Sequence, residues 1–213
     1  MEITPTLVPL GDAALLVRFG TTLSEPANRA AVGFARAIAG RLPAGVIELV
    51  PSLVSVLVTY DPARIGFEQL AGEMRLLASV DTEADPAMTH DIAVRFDGED
   101  LAAVAAGLTL SPEAFVTAHN AAPLRVLATG FAPGFVYCGF HAAALTVPRR
   151  STVRPIVPAG TVLFAAGQTA IAATPIPTGW HVIGHTDFRN FDSSAASPTK
   201  LQAGDRIRFE VLP

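Results

Sequence analysis

A segment near the middle of the chain, residues 129–137, combines turn-forming residues with three aromatic rings. Pro133-Gly134 is a turn dipeptide, and glycine lets backbone N–H groups approach a bound ligand closely. The rings would give such a site an apolar wall. A tight turn whose rings close the end of a β-barrel explains the same residues, and both interpretations remain open. The candidate binding residues here are Gly130, Phe131, Pro133, Gly134, Phe135 and Tyr137.

Three arginines follow at positions 149, 150 and 154, in a chain that is acidic overall. A guanidinium group can bind a phosphate or a carboxylate through two parallel hydrogen bonds. Arg149, directly after Pro148, is the candidate catalytic arginine. Arg150 and Arg154 are predicted to be ordinary solvated charges on the surface.

A glutamine and a tryptophan further along are also candidates. Gln168 lies in an apolar strand pattern, next to Thr169. A buried carboxamide needs hydrogen-bond partners, so Gln168 either holds a loop in place or contacts a substrate. Trp180, the only tryptophan, follows a glycine at the predicted start of a strand. Core packing is the commoner role for such a residue, and ligand contact is the alternative.

Among the histidines, His119 is the best candidate for acid–base chemistry, because it precedes Asn120 in the segment that enters the predicted barrel. A histidine that stabilises a helix C-terminus through the helix dipole is the alternative. His181 and His185 would lie about 13 Å apart along a strand, too far to share a metal ion. Cys138 is the only cysteine, which excludes an intrachain disulfide. We therefore predict no metal site.

The composition excludes several classes of function. A net charge of −4 and a pI near 5.7 argue against a nucleic-acid partner. Lys200 is the only lysine and follows Thr199, so the chain has neither a Gly-Lys-Ser/Thr phosphate loop nor the usual Met-Lys attachment site for biotin. No apolar run reaches the roughly 20 residues of a membrane helix. The N-terminus also lacks the basic region of a signal peptide, so we expect a cytoplasmic protein with no membrane partner.

The patterns that must position these residues indicate two domains. Over residues 1–88 the order is strand, helix, two strands and helix, with a helix start at Ser24-Glu25-Pro26. This order predicts a ferredoxin-like α/β sandwich. The predicted strands span residues 15–19, 46–50 and 53–60, and the second helix carries Phe67, Leu70, Met74 and Leu77 on one face.

An acidic stretch, residues 81–86, is the predicted linker to a second domain over residues 89–213. A strand at residues 92–96 and two short helices, at residues 100–106 and after Ser111, come first. Short strands separated by turn residues then predict a closed or nearly closed β-barrel. Those strands span residues 124–128, 161–165, 169–173, 181–183 and 206–211. The predicted fold class is therefore α+β.

Several of these segments together resemble a known family. The motif Gly-Phe-x-Pro-Gly-Phe-x-Tyr occurs at residues 130–137, Pro-Arg at residues 148–149, and Val-Pro-Ala-Gly-Ser/Thr-Val at residues 157–162. The sequence is similar here to the B subunit of 5-oxoprolinase, to allophanate hydrolase subunit 1 and to the sporulation-kinase inhibitors. It also resembles half of the carboxyltransferase domain of urea carboxylase, its subdomains C and D. The resemblance runs nearly from end to end.

The resemblance implies a fold and a site. The second domain would be a cyclophilin-like β-barrel, and the active site would be shared with a larger sister protein that resembles the C subunit of 5-oxoprolinase or allophanate hydrolase subunit 2. ATP, as its Mg²⁺ complex, would be the co-substrate that drives hydrolysis of an amide or lactam. Arg149 would hold a phosphate or carboxylate, the backbone at Gly134 an oxyanion or phosphate, His119 would move a proton, and Gln168 would contact the amide. The remaining binding residues would be Pro158, Gly160, Thr169, Trp180 and His185.

The sequence departs from the family motifs in ways that leave the substrate open. A tyrosine of the family is Ala172 here, an arginine is His185, and Leu-Gly-Gly-Leu is replaced at residues 138–141. Three alternatives remain: a regulatory protein that binds and inhibits a sensor histidine kinase, a carboxyl-transfer subunit, and a prolyl isomerase suggested by the barrel alone. Self-association through an unpaired partner surface is also expected.

Overall fold

The computed structural model describes residues 3–78 and 88–213 of the chain. The chain divides into two compact units, Met1–Pro86 and Ala87–Pro213. The predicted linker, residues 81–86, lies outside the described residues.

In its described residues, 3–78, the first unit is a four-stranded antiparallel sheet with two helices. Its elements are β1 (Thr6–Pro9), β2 (Ala14–Arg18), α1 (Glu25–Ala39), β3 (Val46–Pro51), β4 (Ser55–Tyr60) and α2 (Phe67–Ala78). The strands follow the order β1-β2-β4-β3 across the sheet. The predicted succession of strand, helix, two strands and helix is confirmed, and β1 precedes it.

The helix α1 illustrates how the local sequence determines an element of the first unit. The hydroxyl of Ser24 accepts a hydrogen bond from the N–H of Ala27 at 3.4 Å, which caps the helix N-terminus. Pro26 is tolerated in the first turn because an N–H there would have no helical partner. Phe34 and Ile38 lie on the buried face and pack against the alternating buried residues of β2 and β4.

Between residues 88 and 213, the described part of the second unit, there are two short helices and nine strands. They are β5 (Thr89–Val94), α3 (Leu101–Gly107), α4 (Pro112–His119), β6 (Leu124–Thr129), β7 (Val136–Gly139), β8 (Arg154–Val157), β9 (Thr161–Ala165), β10 (Gln168–Ile171), β11 (Ile176–Thr178), β12 (His181–His185) and β13 (Arg206–Val211). Seven strands form one sheet in the order β12-β9-β10-β7-β6-β13-β5, while β8 and β11 pair separately. All neighbours are antiparallel except β5 and β13.

The seven-stranded sheet curls until its two edges meet. Beyond the end of β5, the N–H of Arg95 donates to the carbonyl of His185 at 2.9 Å, and the N–H of His185 donates to the carbonyl of Arg95 at 2.8 Å. Gly184 permits this approach, because a Cβ there would lie 2.3 Å from the Arg95 oxygen. We call this curled sheet the barrel. The mixture of helices and strands and the curled sheet confirm the predicted fold class to that extent. The ferredoxin-like and cyclophilin-like arrangements stay predictions.

Apolar side chains from the sheet and from α3 and α4 fill the barrel. Phe115 and Phe164 are fully buried, with ring centroids 5.3 Å apart, and Val104 of α3 joins the same cluster. Within the described ranges, no single helix is long and apolar enough to cross a membrane. The bent pair α3 and α4, which meet at 83°, passes that test of length and composition only when taken together.

Four strands, β1, β7, β8 and β11, are absent from the sequence predictions. Each has only three or four residues, too few for an alternating pattern to stand out. Three of them also contain a proline, at positions 9, 155 and 177, and proline weakens a strand prediction because it cannot donate a ladder hydrogen bond. The partners across the sheet, which lie far away in sequence, therefore determine these strands.

The carboxylate of Asp100, at the start of α3, receives hydrogen bonds from three parts of the chain. Arg154 donates to both of its oxygens, at 2.6 and 2.9 Å, and Arg150 donates to one at 2.7 Å. The N–H of Val182 in β12 donates at 2.8 Å. Burial alone would raise the pKa of Asp100, but the bonds from Arg154 and Val182 and the charges of both arginines lower this pKa below its usual value.

Arg150 and Arg154 are therefore not the solvated surface charges that the sequence predicts. The side chains of Arg150 and Arg154 are only 26% and 16% exposed, and both donate hydrogen bonds to the carboxylate of Asp100. Arg154 also contacts the carboxylate of Glu99 at 2.9 Å. The physical reason is that a buried carboxylate needs cationic or N–H partners. The two arginines lie 50 and 54 residues from Asp100, so no local pattern reveals the pairing.

We predict that Asp100→Asn lowers the free energy of unfolding by about 3 kcal/mol, because two partly buried guanidinium groups then lose the buried carboxylate that they share. Glu99→Gln is the matched control. Its carboxylate is 65% exposed and touches the same Arg154, so we expect a loss below about 1 kcal/mol. Urea denaturation measures both. Equal losses for the two variants would show that Asp100 is not the central partner.

Comparison of the native protein with Asp100→Asn also predicts a pH dependence of stability. The pKa of Asp100 is lowered in the folded state, so its stabilising effect is present above the unfolded-state pKa and is lost as the pH falls through the folded-state pKa. The native protein should therefore lose stability faster than Asp100→Asn between about pH 5 and pH 2.

Candidate functional site

The strand register places several candidate residues at one end of the barrel, which we call the hairpin end. It is the end where a two-residue turn, Ala166-Gly167, joins β9 to β10. Thr169 of β10 pairs with both Phe164 of β9 and Cys138 of β7. Because antiparallel neighbours alternate in direction, the start of β10 and the ends of β9 and β7 lie at this same end.

Backbone contacts fix Arg149 at the hairpin end. The carbonyl of Val147 accepts a hydrogen bond from the N–H of Ala166 in the turn at 2.7 Å. Two residues on, the guanidinium of Arg149 lies over the ring of Trp180, 5.7 Å from its centroid. Arg149 is exposed and forms no ion pair with any described residue. Its charge is therefore available to an anionic ligand or partner, unlike the charges of Arg150 and Arg154.

A series of aromatic rings extends from Trp180 along the outer face of the barrel. The centroid of Tyr137 lies 6.0 Å from that of Trp180 and 4.8 Å from that of Phe135. Phe131 follows at 5.4 Å and is 69% exposed. Trp180 and Phe135 are buried in a small outer core. Burial raises the pKa of Tyr137, and the charge of Arg149 opposes this rise.

Gln168 and Thr169 are neighbours whose side chains point to opposite faces of the sheet. Thr169 is buried, and its strand partners Phe164 and Cys138 belong to the inner core. Gln168 pairs instead with Ala165 of the outer core. Its side-chain oxygen is buried and accepts no hydrogen bond from any described residue. Leaving such a buried acceptor without a partner costs about 1–3 kcal/mol.

Inside the barrel, one hydroxyl joins two imidazole rings. Nε2 of His119 lies 2.7 Å from Oγ1 of Thr169, and Nε2 of His141 lies 2.8 Å from the same oxygen. Nδ1 of His119 lies 2.7 Å from Oδ1 of Asn120. The two rings are 4.6 Å apart between centroids. These four residues form one continuous hydrogen-bonded chain, Asn120–His119–Thr169–His141, which we call the histidine chain.

The two histidines differ in their access to solvent. His119 is only 1% exposed, and four phenylalanine rings surround it at 5.5–5.9 Å, those of Phe96, Phe115, Phe164 and Phe209. Burial lowers the pKa of His119 to about 4, although its bond to Asn120 raises it. Burial and, secondly, the charge of His119 lower the pKa of His141 to about 3. His141 is partly exposed, so His119 reaches the outside through Thr169 and His141.

The remaining candidate residues lie at the opposite end of the barrel. Residues 130–135 connect β6 to β7, whose last pair is Thr129 and Val136. Pro158 and Gly160 precede β9, and His185 ends β12 opposite Thr161. The ring of His185 pairs with Asp97 at 2.7 Å beside an open cleft of about 210 Å³. The structure thus brings together Arg149, Gln168, Thr169, Trp180 and His119, and places the glycine-rich loop at the other end of the outer face.

Gly134 has a packing role in that loop. Its φ is +68°, and a Cβ there would lie 2.6 Å from Cβ of Phe191 and 2.9 Å from Cβ of Ala173. Its carbonyl accepts a hydrogen bond from Nδ2 of Asn190 at 2.9 Å. Oδ1 of the buried Asn190 in turn accepts from the N–H of Leu201 at 2.9 Å. This loop is therefore tied to the chain before β13, and its role as an anion cradle stays a prediction.

Metal ligation and thiol chemistry find no support in the geometry. Within residues 3–78 and 88–213, no group of three or more His, Cys, Asp and Glu side chains is placed to hold a metal ion. Cys138 is fully buried, and burial raises the pKa of its thiol, which makes it a poor nucleophile.

The sequence does not reveal the hydrogen-bonding roles of three residues, His141, Asp100 and Asn190. His141 gives a signal only through its replacement of the family's leucine. Asp100 is visible as a helix start, and Asn190 gives no local signal, because its partners are at least ten residues away.

We predict that Gly134→Ala destabilises the protein more than Gly11→Ala. Both glycines have similar positive φ values, +68° and +64°, but nothing lies within 4 Å of a Cβ at Gly11. Gly11→Ala should therefore cost only the strain of the left-handed conformation, about 1 kcal/mol, while Gly134→Ala adds a steric clash and should cost at least about 2 kcal/mol more. Thermal denaturation tests this, and equal costs would contradict the packing role.

Comparison with known proteins identifies the family to which the chain belongs. The family model "Carboxyltransferase domain, subdomain C and D" matches residues 5–201. The chain is 31% identical to the 5-oxoprolinase B subunit of Bacillus subtilis, over 98% of this chain and 93% of that protein. It is 32% identical to the 5-oxoprolinase B subunit of Haemophilus influenzae, over 96% and 97% respectively.

A solved structure adds information on length. TTHA0988 has a TM-score of 0.83 and 38% identity to this chain, over 94% of this chain and 40% of the TTHA0988 chain. The chain thus matches nearly the whole length of the two relatives but less than half of TTHA0988.

Proposed function

Because the chain belongs to the family of the carboxyltransferase domain, subdomains C and D, we propose that it is one subunit of an ATP-dependent amide hydrolase that opens the lactam ring of 5-oxoproline. The observation that carries this proposal is the similarity to two proteins named as the B subunit of 5-oxoprolinase, over at least 96% of the chain. The family also supports the proposal of a ferredoxin-like domain over residues 1–88 and a cyclophilin-like barrel over residues 89–213.

A larger sister subunit is part of the proposal. The two relatives are named as one lettered component of an enzyme, which implies that other components exist. The chain also corresponds to only 40% of TTHA0988, which supports a partner of comparable or larger size. We propose a partner that resembles the C subunit of 5-oxoprolinase or allophanate hydrolase subunit 2, acting in the cytoplasm.

The hairpin end is the proposed contribution of this chain to the shared site. The exposed Arg149 has the charge and the donor geometry to bind a phosphate of ATP or a substrate carboxylate. The side-chain amide of Gln168, a residue that is only partly buried, is proposed to hydrogen-bond the substrate amide. ATP supplies the chemistry of activation, because phosphorylation of a lactam oxygen makes the ring carbon a better electrophile. His119 would act on a proton only through Thr169, since it is buried.

The candidate residues at the end of the barrel opposite the hairpin end are also proposed to bind a partner or ligand. Gly130, Phe131, Pro133 and the backbone at Gly134 belong to the loop before β7, whose exposed ring, Phe131, offers an apolar contact. Pro158, Gly160 and His185 lie at that end as well. These residues are proposed to contact the partner or the nucleotide, with Phe135, Tyr137 and Trp180 linking the two ends.

Co-expression with the sister subunit tests the proposal. We expect the purified complex to release ADP in a 5-oxoproline-dependent reaction, and neither chain alone to do so, because each contributes part of the site. A stable complex without turnover would contradict the assignment of 5-oxoproline as the substrate. Failure to form any complex would contradict the subunit assignment and favour a kinase-binding protein.

Within that complex, we predict that Arg149→Ala lowers kcat/KM by about tenfold to a hundredfold, the range expected when a hydrogen bond to a charged group is lost. Arg149→Lys should recover only part of the loss, because an ammonium group cannot form two parallel bonds. Arg75→Ala, at an exposed arginine on α2, is the control and should leave the rate unchanged. Full activity of Arg149→Ala would remove Arg149 from the site.

A further inference from the structure

Hydrogen bonds on both sides of Arg149 hold its backbone beside that of Trp180. The N–H of Arg150 donates to the carbonyl of Gly179 at 2.8 Å. Nε2 of His181 donates to the carbonyl of the residue before Arg149 at 3.0 Å. The residues before and after Arg149 thus bind the residues before and after Trp180. This pairing keeps the two side chains adjacent, with the guanidinium carbon 5.7 Å from the centroid of the indole.

The phenol of Tyr137 is a second hydrogen-bond donor beside the same indole. Its ring centroid lies 6.0 Å from that of Trp180, and the charge of Arg149 is close enough to act on its ionisation. Burial raises the pKa of Tyr137 above its ordinary value, so the hydroxyl keeps its proton at neutral pH. Tyr137 is half-buried, and neither its hydroxyl nor the guanidinium of Arg149 hydrogen-bonds any residue of the described ranges. Both groups are therefore available to a ligand.

Of the three arginines in this segment, only Arg149 has a free charge. Arg150 and Arg154 both bind the carboxylate of Asp100. A ligand carboxylate also carries a single charge, and its two oxygens can accept the parallel N–H bonds of one guanidinium and a further bond from a hydroxyl. A triphosphate carries several negative charges and would require more cations for electrostatic complementarity. The free charge and the donors beside Trp180 therefore match a carboxylate.

We propose that Arg149 and Tyr137 together bind the carboxylate of the substrate against the ring of Trp180, and do not bind a phosphate of ATP. The inference rests on the proposed function and decides between the two ligands that Arg149 could hold there. Gln168 faces the same side of the sheet, because Tyr137 pairs with Ala170, two residues further along β10. The Cβ atoms of Gln168 and Tyr137 are then roughly 7–8 Å apart. One molecule of 5-oxoproline could contact both side chains across this distance.

The kinetic test uses the complex with the sister subunit and varies 5-oxoproline and ATP separately. The carboxylate is unchanged by the reaction, so a contact with it stabilises the bound substrate and the transition state alike. We expect Tyr137→Phe to raise the KM for 5-oxoproline by about tenfold, with kcat and the KM for ATP within about twofold of the native values. A raised KM for ATP with an unchanged KM for 5-oxoproline would overturn the carboxylate assignment.

Tyr60→Phe is the matched control for this test. It removes the hydroxyl of the other tyrosine of the chain, which is buried in the core of the first unit. The three kinetic constants should stay at their native values, because Tyr60 belongs to no proposed binding site. An equal rise of the KM for 5-oxoproline in both variants would contradict a specific role of Tyr137.

A binding test replaces the carboxylate of the ligand. In 5-oxoprolinamide an uncharged carboxamide stands in its place, and calorimetry compares the two ligands on the same complex. We expect the native complex to bind 5-oxoproline about a hundredfold more tightly, and this preference to fall about tenfold in Tyr137→Phe and in Arg149→Ala. An unchanged preference in complexes that turn over 5-oxoproline would overturn this inference and leave the proposed function intact. A native complex that never turns over 5-oxoproline would overturn both.

Discussion

The carboxylate of Asp100 joins the start of α3, the N–H of Val182 in β12 and the segment that contains Arg150 and Arg154. A carboxylate that is largely removed from water is stable only when such donors surround it. The consequence reaches the candidate site, because Arg149 precedes Arg150 and Trp180 lies two residues before Val182. The contact between Arg149 and Trp180 is thus positioned by an ion pair that takes no part in the proposed chemistry.

The wall of the barrel separates two chemical environments at the hairpin end. On the outer face, Arg149 and Gln168 offer a charge and an unsatisfied amide beside buried aromatic rings. On the inner face, Thr169 connects a buried histidine to a partly exposed one. Because successive side chains of a strand alternate between faces, the adjacent residues Gln168 and Thr169 of β10 face the outer and the inner environment respectively.

The sequence predicts the longer elements well, and it predicts poorly what depends on distant partners. Ser24 and Pro26 predict the start of α1 because capping is a local effect. The family motifs make Arg149 and Gln168 candidates, and their roles stay predictions. The strand β7 is missed because its four residues follow an aromatic loop and pair with strands on both sides. Arg150 and Arg154 are misjudged because their counter-charge lies 50 or more residues away. His141 becomes a candidate only when the fold brings it to Thr169.

Amide hydrogen exchange, measured for this chain alone and in complex with the sister subunit, tests the central claim that the hairpin end forms the shared site. The account predicts the largest added protection in residues 141–150 and 166–169, since the sister subunit would cover them. Protection confined to residues 130–135 and 158–160, with no change at the hairpin end, would contradict the account and move the site to the opposite end of the barrel.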